Sequence, residues 1–395
     1  MAEAFRILTL NSISGVGLKR LPSERYTCGA QVENPDAILV RSQDMHSMDI
    51  QPNVKAIGRA GAGVNNIPVE KMNKRGVPVF NAPGGNANAV KELVVAGMLI
   101  AARNLTPALK FVEGLKGDDK TVDKTVEDGK KQFAGLELPH HTLGVIGLGK
   151  VGSLVADTAI KLGMDVLGYD PEITVDAAWS LPSQVKKAHS IEEVLKAADF
   201  VTLHVPLLPV TRKMINAARL KLMKKGAILL NFSRDGIVDN DAMLEALAAK
   251  HLRSYVCDFP AKQLIGHPQV VALPHLGAST REAEDNCAVM VVDQVRNFLE
   301  SGNILNAVNF PDVLMARESP YRLGIANANV PNMVGQISTA MAKAGLNIHN
   351  MLNKSKGEMA YTLVDVDSKV PAKTVEQIGK IEGVLTVRYL PAEGR

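Results

Sequence analysis

Residues 142–170, TLGVIGLGKVGSLVADTAIKLGMDVLGYD, constrain this chain more than any other stretch. An apolar run, Leu143 to Ile146, leads into G-x-G-x-x-G at Gly147, Gly149 and Gly152. Val151, Leu154, Val155, Ala159 and Leu162 then recur at helical spacing, and a second apolar run ends on Asp170. Strand, glycine turn, helix, strand and acid in that order read as a dinucleotide-binding unit; the alternative is a glycine-rich turn in an unrelated α/β unit. Gly147 permits the tight turn, Gly149 lets the backbone approach a pyrophosphate, and Gly152 lets helix and strand pack closely. Free amides at the helix start face phosphate oxygens. Asp170 suits the ribose hydroxyls and would repel a 2′-phosphate, which favours NAD over NADP.

Strands alternate with helices on both sides of this unit. Apolar runs at 199–205, 227–232, 254–258 and 270–273 predict further strands, and 241–250 and 281–301 predict helices, hence a parallel, doubly wound sheet. Residues 5–85 predict a smaller α/β unit with strands at 5–10, 37–40, 54–58 and 77–80. Residues 86–105 read as a long buried helix crossing between domains, and 106–140 as polar surface loop and helix. After a linker at 306–319, the order strand, helix, strand, strand, helix, strand over 321–390 is that of a ferredoxin-like domain, with no obvious catalytic set. A regulatory or assembly role is expected of it.

Composition removes several classes. A net charge of +4 over 395 residues is too small to imply nucleic acid. The most apolar window, 93–102, is about half the length of a membrane span. Cys28, Cys257 and Cys287 are far apart without metal-ligand spacing, and the N-terminus lacks a signal-peptide shape, so reduced thiols in a cytoplasm are expected. No carboxylate or cysteine has ligand spacing around the His140–His141 pair, and no metal is expected.

Chemistry gathers at predicted strand ends, where open α/β sheets bind ligands. Arg41 and Arg59 each follow a strand, beside Gly61-Ala62-Gly63, and suit a ligand with anionic groups; a surface ion pair is the plainer use of either arginine. Arg234 and His275 follow strands of the nucleotide-binding sheet. An imidazole can take a hydroxyl proton while hydride leaves for a nicotinamide, and a guanidinium can grip a carboxylate in two places. The plainer readings are a histidine capping a turn and an arginine paired with Asp235 or Asp239.

ILVRS (38–42), GRAGAGVNN (58–66), GLGKVG (147–152), PLLPVTRKMI (206–215), NFSRDGIVD (231–239) and PHLGAST (274–280) together resemble the D-isomer-specific 2-hydroxyacid dehydrogenase family, in a form with a C-terminal ACT domain. The resemblance implies a flavodoxin-like substrate domain over 1–90, completed by about 281–312, a Rossmann-type NAD domain over 91–280 and an ACT domain over 319–395, with the site in the cleft between the first two. It implies Arg41, Arg59, Gly61 and Ala62 as substrate contacts. For NAD it implies the glycine turn with Lys150, Val151, Asp170, Val205, Phe232, Ser233, Asp258, Gly277 and Ala278. Arg234 becomes the catalytic arginine and His275 the acid/base. The implied reaction is NAD-dependent oxidation of 3-phospho-D-glycerate to 3-phosphohydroxypyruvate, the entry to L-serine synthesis, by a homodimer or homotetramer. The alternatives are a glyoxylate- or lactate-type relative and an NAD-sensing, corepressor-like regulator without turnover.

The sequence departs from the family pattern in two places. Where the family carries a glutamate that orients the histidine, the run is Cys257-Asp-Phe-Pro-Ala-Lys262, which makes Asp258 the candidate partner of His275, unless the pH optimum differs. In the ACT region, Asn327, Asn329 and Asn347 stand where serine-binding relatives carry a histidine and asparagines, so L-serine is a candidate effector there.

Overall fold

Five strands at the N-terminus, β1 (Phe5–Leu10), β2 (Tyr26–Gly29), β3 (Ala37–Val40), β4 (Ala56–Arg59) and β5 (Val79–Phe80), form a parallel sheet in the order β2-β1-β3-β4-β5. The computed structural model describes residues 4–391. Two predicted strands are shorter than expected. Val54 is taken up in a turn to the Gln51 carbonyl, and Pro78, which has no N–H to give a ladder, holds β5 to two residues. The edge strand β2, half polar, had no apolar pattern to announce it.

The helix Arg281–Ser301 belongs to the same compact unit, which joins Met1–Asn86 to Thr280–Arg395. Thr280 caps its start by accepting from the Ala283 amide, and Gly302 ends it at φ 75°. Val291 and Val295 press on β4 so closely that a Cβ at Gly58 would lie 2.8 and 2.9 Å from their methyls.

The other unit, Ala87–Ser279, opens with the helix Ala87–Ala102. The stretch expected to be polar surface loop and helix holds two helices, Leu105–Glu113 and Asp119–Gly129, neither with a buried residue. Seven parallel strands follow: β6 (Thr142–Ile146), β7 (Asp165–Tyr169), β8 (Lys186–Lys187), β9 (Phe200–Leu203), β10 (Ala227–Asn231), β11 (Leu252–Cys257) and β12 (Val270–Ala272). Their order is β12-β11-β10-β9-β6-β7-β8, a Rossmann-type sheet whose direction of winding reverses between β6 and β9.

At the C-terminal end, β13 (Tyr321–Ala328), β14 (Ile348–Lys356), β15 (Met359–Val366) and β16 (Val384–Pro391) pair antiparallel in the order β14-β15-β13-β16, with the helices Met333–Lys343 and Ala372–Gly379. This is the ferredoxin-like βαββαβ arrangement, over the 321–390 stretch where it was expected. Tyr361 and Leu363 of β15 share one apolar cluster with Phe298, Phe310 and Phe5, so this sheet is built into the first unit. Among the described residues no single helix is long and apolar enough to cross a membrane.

Candidate active site

In the Rossmann-type unit, Gly147 has φ 94°, and a Cβ there would meet the His204 carbonyl at 2.5 Å. A Cβ on Gly152 would lie 2.0 Å from the Gly147 carbonyl oxygen, so the helix Lys150–Lys161 can reach the turn only with glycine at that place. Gly149 differs from both: nothing lies within 4 Å of its Cβ position. The turn is therefore closed on its protein side and open where a pyrophosphate would approach, and Lys150 and Val151 supply first-turn amides. Asp170 follows β7. Its carboxylate accepts from the Leu148 amide at 2.8 Å and the Glu172 amide at 2.9 Å, which orients it and leaves lone pairs for ribose hydroxyls. Glu172 beside it adds a second negative charge. These residues fit NAD.

At the end of β9, the His204 ring nitrogen and the Thr202 hydroxyl share a 2.9 Å hydrogen bond, and burial pushes the imidazole pKa down to about 4. Val205 follows, half-buried. The Phe232 side chain is in the core, 2.9 Å from the Cβ position of Gly97, so only its backbone is available to a cofactor.

Arg234 lies just past β10. Asn231 holds the turn: its carboxamide accepts from the Ser233 amide at 3.2 Å and donates to the Arg234 carbonyl at 3.0 Å. The Arg234 guanidinium donates to the Ser233 carbonyl at 2.6 Å and has no carboxylate partner among the described residues. Asp239, the alternative partner, pairs with Lys213 at 3.1 Å.

His275 follows β12 at φ 55°, an uncommon conformation for a non-glycine residue. Asp258 explains how it is held. The buried Asp258 carboxylate accepts from the Leu276 and Gly277 amides, both at 2.8 Å, and its carbonyl accepts from the His275 amide at 3.1 Å. Burial pushes this carboxyl up from the usual aspartate value, and the two amides pull it back. The expected Asp258–imidazole hydrogen bond is absent, because both carboxylate oxygens are engaged by the backbone of the histidine's own loop. The ring instead packs on Phe259, centroids 4.9 Å apart. Lys262, in a short 3₁₀ turn, is exposed. Gly277 and Ala278 continue the clamped loop. No group of three or more His, Cys, Asp or Glu suited to a metal occurs among the described residues.

In the unit built from both chain ends, Arg41 follows β3 and Arg59 ends β4. The Asn11 side chain accepts from the Ser42 and Gln43 amides at 3.2 and 2.5 Å and so fixes the Arg41 loop. The Arg41 guanidinium is paired with Glu284, in the first turn of the helix Arg281–Ser301, at 2.6 Å. The Arg59 side chain lies across Gly61, where a Cβ would fall 1.4 Å from Nη1. The Ala62 carbonyl accepts from the Asn81 carboxamide at 2.6 Å. Asn11, Glu284 and Phe259 were not legible as functional. Asn11 and Glu284 act through partners 31 to 243 residues away, and no local pattern encodes such a partner.

The three asparagines of the C-terminal sheet are not brought together within one chain. Asn327 is buried and Asn329 donates to the Gly357 carbonyl at 3.0 Å, at one end of the sheet. Asn347 receives the Asp367 amide at the other end, about 25 Å away by strand length.

Residues 95–277 match the family model described as D-isomer specific 2-hydroxyacid dehydrogenase, NAD binding domain. Over 348 residues the chain is 35% identical to D-3-phosphoglycerate dehydrogenase of Methanocaldococcus jannaschii, covering 85% of this chain and 62% of the relative. The protein of the same name from Haemophilus influenzae is 32% identical over 356 residues, covering 87% of this chain and 83% of the relative. A solved structure from Thermus thermophilus aligns with TM-score 0.64 and 29% identity, covering 77% of this chain and all of its own. The NAD-bound 3-phosphoglycerate dehydrogenase of Entamoeba histolytica aligns with TM-score 0.60 and 24% identity over 78% of this chain and 99% of its own, a likeness of fold. The glycine turn, the clamped His275 loop and these relatives together make the chain a member of the D-isomer-specific 2-hydroxyacid dehydrogenase family.

Proposed function

We propose that this chain catalyses the NAD-dependent oxidation of 3-phospho-D-glycerate to 3-phosphohydroxypyruvate, the first step of L-serine synthesis. The observation that carries the reading is the placing of Arg234 and His275 at carboxyl ends of strands in the sheet that bears the glycine turn, with Arg234 unpaired by any carboxylate among the described residues. When bound, the nicotinamide supplies the hydride acceptor. Arg234 grips the substrate carboxylate and polarises the oxygen on the reacting carbon, and His275 takes the hydroxyl proton. Arg41 and Arg59 suit a substrate with two anionic groups, which distinguishes 3-phosphoglycerate from lactate. Asp258 acts as a positioning residue, because it fixes the backbone that presents the imidazole.

The test is NADH formation by the purified chain with 3-phosphoglycerate, D-lactate and D-glycerate in parallel, and NADH loss with 3-phosphohydroxypyruvate. Turnover selective for the phosphorylated pair supports the reading; turnover of D-lactate or D-glycerate alone overturns it. One observation favours a second reading: the His275 ring has no carboxylate partner among the described residues. An NAD-sensing regulator needs none, and NADH binding without turnover of any substrate would select it. A cytoplasmic, homo-oligomeric enzyme follows from the first reading. L-serine as its effector requires Asn329 and Asn347 from different chains to meet, so calorimetry with L-serine should show binding only in the oligomer.

A further inference from the structure

Leu229 and Asn231 of β10 and Tyr255 and Cys257 of β11 fall on one face of the nucleotide-binding sheet, since alternate residues of a strand point the same way. Tyr255 shares an apolar cluster with Leu229, Ile237, Val238 and Met243 and is 2% exposed. A phenylalanine would fill that space with no hydroxyl to satisfy, and a buried hydroxyl is unfavourable unless it is hydrogen-bonded. The Tyr255 hydroxyl finds its partner at the end of β10, where it accepts from the Asn231 carboxamide at 3.4 Å.

Asn231 is buried as well, and it shapes the turn that carries Arg234. Its carboxamide has one oxygen and two N–H groups. The oxygen accepts from the Ser233 amide, one N–H donates to the Arg234 carbonyl, and the other meets the Tyr255 hydroxyl. With all three engaged, the carboxamide has one orientation. Turned over, it would set an N–H against the Ser233 N–H and its oxygen against the Arg234 carbonyl. Without the hydroxyl, one N–H is left unpaired in the core, where an unmade hydrogen bond is costly. Burial pushes the phenol pKa up, so the hydroxyl stays neutral wherever an imidazole can work. It braces the turn and carries no proton.

We propose that Tyr255 is a positioning residue for the reaction: its hydroxyl fixes the Asn231 carboxamide, and Asn231 fixes the turn that aims the Arg234 guanidinium at the substrate carboxylate. The link is short. The guanidinium donates to the Ser233 carbonyl at 2.6 Å, and Ser233 is the residue whose amide Asn231 holds. A two-point grip on a carboxylate is directional, so a small rotation of the turn weakens it. The inference rests on the role proposed for Arg234.

Steady-state kinetics on the full chain tests this. Tyr255→Phe should lower kcat/KM for the 2-hydroxy acid about tenfold and leave the NADH dissociation constant within about twofold. The pH profile should fall in height without moving along the pH axis, because the proton carrier is untouched. Leu229→Ala hollows the same cluster and spares these hydrogen bonds. It should lower the melting temperature more than Tyr255→Phe does, yet lower kcat/KM less than about twofold. In an Arg234→Lys background, which has no fork to aim, Tyr255→Phe should cost less than about twofold. The ratio is taken with whichever 2-hydroxy acid the parent oxidises, so a lactate-selective parent overturns the proposed substrate and still yields the ratio. For a parent that oxidises none, calorimetry of oxalate with the NADH-loaded chain reads the same grip, and Tyr255→Phe should weaken oxalate about tenfold. A Tyr255→Phe variant within about twofold of the parent, or an undiminished loss in the Arg234→Lys background, overturns the proposal.

Discussion

Arg41 enters its pairing with Glu284 as the partner whose role is proposed, and Glu284 as the one that modulates it. The guanidinium and carboxylate lie 2.6 Å apart, each about a third exposed. Such a pair contributes little to stability, about 0–1 kcal/mol, yet it partly neutralises a cation proposed to meet substrate. Glu284→Gln should therefore lower KM for the phosphorylated substrate about two- to fivefold, with kcat nearly unchanged, and the gain should shrink as salt rises. A rise in KM would show that Glu284 serves to position Arg41. His204 gives a prediction on pH. Its folded pKa, about 4, lies below the ordinary imidazole value of 6.5, so its contribution to stability is complete above about pH 6.5 and is lost as pH falls through 4. The loss is at most about 3 kcal/mol. His204→Gln should flatten thermal unfolding midpoints between pH 6.5 and 4.5, where the parent chain declines. The sequence placed Arg41, Arg59, Arg234 and His275 at strand ends because apolar runs mark strand limits. It did not show that Asp258 clamps a loop backbone in preference to the imidazole ring, since both uses require the same residue at the same place.

The dinucleotide turn was legible as an element because its signal is local: three glycines with strict spacing between two apolar runs. The structure separates their duties. Gly152 is constrained by the protein itself, 2.0 Å from the Gly147 oxygen at its Cβ position, whereas Gly149 faces open space. Gly152→Ala should lower the melting temperature and NADH affinity together, because the helix Lys150–Lys161 must move away from β6. Gly149→Ala should leave the melting temperature within experimental error and weaken NADH at least about tenfold, by placing a methyl where the pyrophosphate approaches. Fluorescence titration with NADH beside thermal melts reads both quantities. Equal losses of stability in the two variants would refute the division of roles. Elements without such local signals were harder to read. β8 is two exposed lysines, and β2 is an edge strand half open to solvent, so neither shows the alternation by which a strand is recognised.

At the scale of the molecule, the chain order over 321–390 predicted a ferredoxin-like domain that could have hung on its linker. The structure builds that sheet into the unit formed by the two chain ends, and one buried ion pair is the centre of the join. Arg322 and Asp365 are both 0% exposed, joined at 2.6 and 2.8 Å. The remaining Arg322 N–H groups donate to the Ser301, Met315 and Ala316 carbonyls, which ties the helix end and the linker to β13. The Glu318 amide donates to Asp365 at 3.0 Å. Burial pushes the Asp365 carboxyl up most strongly, but the Arg322 hydrogen bonds, the Glu318 amide and the charges of Arg322 and Arg317 together outweigh it and hold the pKa below the usual value. A buried pair of this kind stabilises less than its geometry suggests, because both ions were taken out of water, but removing one partner leaves the other charged and unpaired. Arg322→Met should cost about 3–5 kcal/mol in chemical denaturation and free the linker carbonyls. Asp365→Leu combined with Arg322→Met should recover much of that loss, because no isolated charge remains. If the double variant is as unstable as the single one, the carbonyls of Ser301, Met315 and Ala316, and not the ion pair, hold the C-terminal sheet to the rest of its unit, and Arg322→Lys, which keeps the charge but loses the fork, should then be nearly as damaging as Arg322→Met.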